Sequence, residues 1–413
     1  MRASNHHSPK EMEWGSPLRP DSNKNLFILA FALIVVTLGF GIVMPIIPFY
    51  MEQLGAGGTE LGFLVASYAV MRMICGPIWG NLSDRWGRKP VMIIGVLGYG
   101  VTMILFGLAD RLWMLFAARI GAGMLSSATS PTTMAYIGDS TSEENRSRGM
   151  GLLGAAGGIG TILGPALGGV LGGEDLSLPF FIAGGMSLLS VLLIIVLLPE
   201  SLPREDRQAQ DGALPSVDLR TWRQLIFSPM GSLFLLIFII TTGMMLFFGI
   251  FGLYALQRFG YGTQQVGVFF MLIGLISAIG QGALVGPLTK RLGEGWLIRT
   301  GFLLSCASLI GVMLANTYAA LLLAIGFFSL ASALAIPAIT SLTSRWATSS
   351  QGAAMGLSNA FISLGRGIGP ALGGVIFDLN WRLPFLSGAG VMLIGLAVSM
   401  STKLEAVNVQ SQP

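Results

Sequence analysis

The chain has 413 residues, 53% of them apolar and 11% charged, with 57 glycines and a formal net charge of +4. A soluble chain of this length would carry about a quarter charged residues, roughly 100; this one has 24 basic and 20 acidic ones. That excludes a soluble two-domain enzyme and a disordered chain, and the lack of any long basic cluster excludes a nucleic-acid binder.

A bilayer core of ~30 Å takes about 20 apolar residues per helix. Twelve such runs are predicted. Six lie at about 26–50, 61–80, 91–109, 112–136, 150–172 and 179–198, and six at about 230–255, 265–287, 296–315, 318–342, 352–376 and 384–401. The expected fold class is an all-α polytopic membrane protein with twelve transmembrane helices in two pseudo-symmetric six-helix halves, 26–198 and 229–401. Residues 1–25 are expected to be a solvated tail, too polar for a signal peptide. Residues 199–228, rich in Pro, Gln and charge, are expected to form a cytoplasmic linker, and 402–413 a second tail. With the N-terminus inside, the inner segments hold eighteen Lys and Arg and the outer loops three, Arg111, Arg258 and Arg382. The positive-inside rule therefore puts both termini in the cytoplasm.

The halves repeat. Residues 160–171, GTILGPALGGVL, match 365–376, GRGIGPALGGVI, at an offset of 205; residues 80–88, GNLSDRWGR, match 286–294, GPLTKRLGE, at 206. Such repeats build many secondary transporters, with the substrate site between the halves near the midplane.

The stretch after the second run reads GNLSDRWGRKP, residues 80–90. It resembles the signature loop of the major facilitator superfamily, carried here by Gly80, Asp84, Arg85, Gly87, Arg88 and Lys89. Gly160, Gly164, Pro165, Gly168 and Gly169 resemble that superfamily's antiporter motif, and Arg119 with Asp139 a third motif. LGFGIVMPIIPFY, residues 38–50, resembles the first span of the twelve-span drug:proton antiporter branch. The resemblance runs from about residue 26 to 401. It implies an Asp84–Arg88–Asp139 charge chain at an inner gate and a coupling role for Arg119. The physics agrees: a carboxylate at Asp84 can sit against the positive N-terminus of the eleventh helix, near Ser349-Ser350-Gln351, and so close the inner side. In the second copy Lys290 replaces Asp84 and Glu294 replaces Arg88, so gating is not assigned to it. The alternative is a basic loop that only sets topology. For the Gly-Pro-Gly-Gly run the alternative is plain close packing.

Arg72, Arg119 and Arg366 lie inside spans. A charge at the bilayer centre costs at least ~2.5–3.5 kcal/mol on insertion scales, so each should face a cavity or a partner. Their repeat counterparts, Ala278, Ala324 or Ile325, and Thr161, are neutral; the fold does not demand them. No Asp or Glu lies deep in any run. The first-span carboxylate of many drug:proton antiporters is missing, which leaves Asp84 and Asp139 as candidate proton carriers. Candidate cavity residues are Tyr68, Arg72, Met245, Phe248, Asn359 and Arg366, from polar stripes and an aromatic, Met-rich seventh span. Phe247, Phe251, Tyr254 and Phe328 belong to the same aromatic wall. His6 and His7 fall in the tail and Cys75 and Cys306 in apolar runs, so neither catalysis nor a metal site is expected.

The reading is a proton-coupled exporter of small hydrophobic or amphiphilic compounds in a cell (inner) membrane, a monomer, with no cofactor beyond the proton gradient, no nucleic-acid partner and no enzyme activity. The alternatives are an importer of a nutrient or organic anion, or a lipid or glycolipid flippase on the same fold.

Overall fold

The computed structural model describes residues 22–141, 143–202, 207, 219–347, 351–402 and 404. Among them every regular element is a helix. Span 1 is Ser22–Gln53, span 2 Gly58–Trp86 and span 3 Arg88–Gly107. Span 4 is broken into Leu112–Ser126 and Thr129–Ser140, span 5 is Glu143–Leu171 and span 6 Leu178–Leu197. Span 7 joins Gly231–Phe248 to Phe251–Phe259. Span 8 runs from Thr263–Ile279 through a wide turn, Gly280–Leu284, to Val285–Leu292. Spans 9 to 12 are Glu294–Leu314, Tyr318–Trp346, Gln351–Leu379 and Leu383–Ser401. Eleven of these are long and apolar enough to cross a bilayer unbroken; the fourth crosses in its two pieces and completes twelve.

The helices run past the apolar stretches that announced them. Gly80 to Trp86, expected in a loop, are the last turns of span 2. A helix satisfies its own backbone, so it persists past the apolar run wherever packing holds it. The expected linker 199–228 also contains structure. Leu219–Ile226 is a helix, and Trp222 and Leu225 pack with Met230, Phe234, Ala354 and Leu357 at the foot of spans 7 and 11. Residues 203–206 and 208–218 of that linker, most of the two tails and Ser349-Ser350 lie outside the described residues.

Packing follows the repeat. Span 1 lies on span 5 as span 7 lies on span 11, and span 3 on span 6 as span 9 on span 12. The two largest contacts between the halves are crossed, span 2 with span 11 and span 5 with span 8, and span 1 adds smaller ones with spans 7 and 8. Each inner face is buried, while Leu192, Val196, Leu314 and Leu393 stay exposed on the outside. An apolar rim of this kind is what lipid requires.

Candidate functional site

Spans 2 and 3 are joined by one residue, Gly87, at φ 106°. Glycine takes that backbone without strain, and its repeat counterpart Gly293 sits at φ 80°. Beside the turn a charge chain forms. Arg88 donates from Nη1 to Asp84 Oδ1 at 2.5 Å and Ser83 Oγ at 2.7 Å, and from Nε to Asp139 Oδ2 at 2.8 Å. Lys89 Nζ donates to the Ile195 carbonyl at 2.8 Å, in the last turn of span 6. Arg85 is half-buried in the last turn of span 2.

Glu200 was not among the expected site residues. Its carboxylate accepts the backbone N–H of Arg88 at 2.8 Å and of Lys89 at 3.3 Å, and pairs with Arg207 at 3.5 Å. It thus neutralises the positive N-terminus of span 3. The only sequence signal was an acid directly after Pro199; what it reaches is decided by the fold. Tyr136 fixes the same segment by donating to the Pro199 carbonyl at 2.9 Å.

The second half keeps this pair with its charges exchanged. At an offset of 206 Arg88 becomes Glu294 and Asp139 becomes Arg345, and Arg345 Nη1 lies 3.0 Å from Glu294 Oε1. Ser341 Oγ donates to the same oxygen at 3.4 Å. Lys290, in the place of Asp84, is exposed. Read singly the substitutions look like loss; read together they are a compensated swap.

At the opposite end of the bundle, where spans 2 and 11 meet, Asp378 crosses between the halves. It accepts the backbone N–H of Gly58 at 2.8 Å and of Thr59 at 2.7 Å, and the Thr59 hydroxyl at 2.5 Å. Those N–H groups are the unpaired donors of the first turn of span 2. Next to it the backbones touch: a methyl on Gly62 or Gly374 would collide with the Pro370 or Gly58 carbonyl. Thr263 Oγ1 donates to the Gly169 carbonyl at 3.0 Å, closing span 8 on span 5. Toward the Asp84 end these contacts stop. Gly76 and Gly80 of span 2, Gly352 and Gly356 of span 11, Gly154 and Gly158 of span 5 and Gly282 and Gly286 of span 8 all face open space. In particular Asp84, half exposed, bonds to Arg88 and makes no contact with the described residues of span 11; the expected partners Ser349 and Ser350 lie outside them. The cleft between the halves is shut at the Asp378 end and open at the Asp84 end.

The glycine-rich motif divides its work. Gly160, Gly164 and Gly168 lie against Thr37, Leu38 and Ile42 of span 1, and Pro165 against Gly41. Gly169 and the Pro165 carbonyl reach the other half, at Gly267. The second copy does likewise: Gly365, Gly369 and Gly373 pack on span 7, and Gly374 on span 2.

Inside the cleft the arginines gather around Tyr68, which is buried. Arg119, 1% exposed, lies over the Tyr68 ring at 4.4 Å and the Phe40 ring at 5.8 Å. Among the described residues its Nε and Nη2 have no acceptor. Arg72 Nη1 donates to the Tyr68 hydroxyl at 3.3 Å, and that hydroxyl shares a 3.2 Å hydrogen bond with Ser126. Arg366 and Asn359 of span 11 are exposed, and Arg366 lies within electrostatic reach of Arg72 and Tyr68. Met245 and Phe248 are half-buried, Met245 against Gly369. The rest of the expected aromatic wall is displaced: Phe247, Phe251, Tyr254 and Phe328 are fully buried and stack on one another and on Phe269, Phe270 and Phe385. They form the core of the second half, because a large ring lowers its energy most where it meets other rings on all sides.

A family model described as Major Facilitator Superfamily matches residues 29–295 and 282–408. Multidrug resistance protein 2 of Bacillus subtilis (strain 168) is 31% identical over 389 residues, 93% of this chain and 96% of that one. Multidrug resistance protein 1 of the same strain is 33% identical over 385 residues, 93% and 97% of the two chains. Among solved structures, a bacterial homolog to the human lysosomal transporter Spinster, in an inward-facing and occupied conformation, aligns with a TM-score of 0.78. It is 14% identical over 94% of this chain and 97% of that one, a likeness of fold.

Proposed function

We propose, on the premise that the chain belongs to the Major Facilitator Superfamily, that it exports small hydrophobic or amphiphilic compounds in exchange for protons. The family makes it a multi-pass membrane transporter and not an enzyme. The export reading draws on the two Bacillus relatives, both multidrug resistance proteins, and on the glycine motif at the seams. The Lys and Arg distribution puts both termini and the Asp84 end in the cytoplasm; the conformation described is then inward-facing, and the protein works as a monomer in a cell membrane.

The observation that carries the mechanism is the paired use of spans 2 and 11. At its outer end span 11 presents Asp378 to the N-terminus of span 2, and that latch is made. At its inner end span 2 carries Asp84, which here pairs with Arg88 and with no described residue of span 11. Alternating access exchanges one for the other: the halves rock, Asp378 lets go, and Asp84 turns from Arg88 to the first turn of span 11. Each latch is a carboxylate on a positive helix end, worth roughly 0.5–2 kcal/mol. Two such weights on opposite sides are small enough for a substrate or proton to tip. Arg88, held by Asp139, keeps Asp84 in place while the inner side is open.

The test is transport in proteoliposomes under an imposed pH gradient. Movement of an amphiphilic dye against the direction of proton flow supports export. Movement with the protons supports the import reading and overturns this one.

A further inference from the structure

The three intramembrane arginines lack a counter-charge. Among the described residues no Asp or Glu lies near them; the acids sit at helix ends, as Glu52, Glu60, Asp139 and Asp378 do. Their donors are largely idle. Arg72 makes one hydrogen bond, to Tyr68. Arg119 leaves two nitrogens without an acceptor. Arg366 donates no hydrogen bond to any described residue. For the buried Arg119 a cation–π contact returns about 0.5–2 kcal/mol, less than the ~2.5–3.5 kcal/mol that a central charge costs, while Arg366 stands exposed where the spans part. An anion is the chemistry these groups would accept.

Position adds a second argument. Spans 2 and 11 touch as far inward as Val70 and Gly367, and below that level they part. Arg72 and Arg366 stand where the separation begins, one from each half, two residues after Val70 and one before Gly367. With nothing bound, like charges there oppose closing of the inner side. A ligand anion lodged between them reverses the sign of that interaction.

We propose that Arg366 and Arg72, backed by Tyr68 and Arg119, bind the carboxylate of an amphiphilic substrate, which bridges the two halves and permits the inner side to close. The proposal rests on the exporter reading and names its substrate class: a carboxylic acid with an apolar body, the body lying along Met245 one turn from Arg366 on the facing helix. Cations of the same shape are disfavoured by the same three charges. The neutral counterparts Ala278 and Thr161 leave the other side of the pseudo-axis without this feature, so the substrate's orientation is fixed.

The experiment uses the full chain in phosphatidylcholine nanodiscs and three fluorescent probes of one shape: 8-(dansylamino)octanoic acid, its methyl ester, and mono-dansylated 1,8-diaminooctane. The acid is expected to bind at least tenfold tighter than the ester or the amine. Arg366→Gln and Arg72→Gln are each expected to weaken the acid about tenfold and leave the ester within twofold. Ester binding thereby reports that the variants are folded. If one carboxylate bridges both residues, the double variant loses less than the two single losses combined.

An acid that binds no better than its ester in the wild-type protein overturns the proposal, and that comparison needs no variant. So does an equal loss of all three probes in a variant that binds the ester at all. Displacement of the acid by phosphatidylglycerol doped into the nanodisc assigns the anion site to a lipid headgroup and overturns the substrate class. Transport separates this proposal from the reading beneath it. Proton-driven export of the ester without acid preference leaves the exporter standing and removes the anion site; selective acid binding with no proton-driven movement does the reverse.

Discussion

Asp378 receives three hydrogen bonds from the opposite half, and a carboxylate in that position holds more than its neutral amide would. Asp378→Asn is expected to weaken the outer latch by about 1 kcal/mol, roughly fivefold in the ratio of closed to open. Spin labels at Gln53 and Leu379, one on each half, read it: the longer-distance population should grow several-fold, and an unchanged distribution would show that backbone contacts alone shut that end. Asp84→Asn acts on the other latch. Arg88 keeps Asp139 and Ser83, so the fold should stand, while the outward-facing state loses its inner closure. Transport should fall by tenfold or more with expression unchanged; activity within twofold of wild type would remove Asp84 from the gate. Glu200→Gln should weaken the first turn of span 3 and lower thermal stability by a few degrees without altering which probes are bound, because Glu200 touches backbone and Arg207 and nothing in the cleft. A melting curve together with probe binding checks both halves of that statement.

Among the elements, the exchanged pair Glu294–Arg345 ties span 9 to span 10 as Arg88–Asp139 ties span 3 to span 4. Glu294 is almost wholly buried, so removing Arg345 strands a charge. Arg345→Glu should abolish folding or transport, and Glu294→Arg added to it should restore a large part, as a charge pair turned around. Failure of the double variant to exceed the single one would mean that the two helices read more than the sign. The glycine seams give a steric counterpart. Gly374→Val sets a branched side chain against the Gly58 carbonyl and the Gly62 backbone, so the outer end cannot shut. The expected outcome is a transporter held outward-open, seen as long distances between the same spin labels and no turnover. The equivalent change at Gly76, which meets nothing in this state, leaves outer closure intact.

For the whole molecule, the two crossed contacts, span 2 with 11 and span 5 with 8, act as one hinge pair. Both are tight at the outer end and vacant at the inner end. A rigid rocking of one half therefore changes both together, and single-site changes at either seam should shift the same equilibrium. The helix Leu219–Ile226, packed under spans 7 and 11, moves with the second half, while Glu200 moves with the first. The linker therefore has an anchor on each side.

Much of this was legible in the residues alone. Twelve apolar runs, the crowding of Lys and Arg into alternate loops, the repeat at offsets of 205 and 206, and the Asp84 and glycine motifs are local patterns set by the bilayer and by helical geometry, and they required no knowledge of which helix meets which. The exchange of Arg88 and Asp139 for Glu294 and Arg345 was also written there, but it became visible only when spans 9 and 10 were brought side by side. Asp378 looked like one more acid at a helix end, and Glu200 like a residue of a polar linker, since nothing in sequence measures a distance of 320 or 112 residues along the chain. The aromatic residues of span 7 read equally well as a cavity wall or a core, because periodicity marks a face without saying what covers it. The sequence by itself determined the all-helical membrane fold with its repeated halves and the places where charge must find a partner. Tertiary structure decided the partners and which end of the cleft is shut, since those depend on how two six-helix halves lean against each other, a relation that no local interaction encodes.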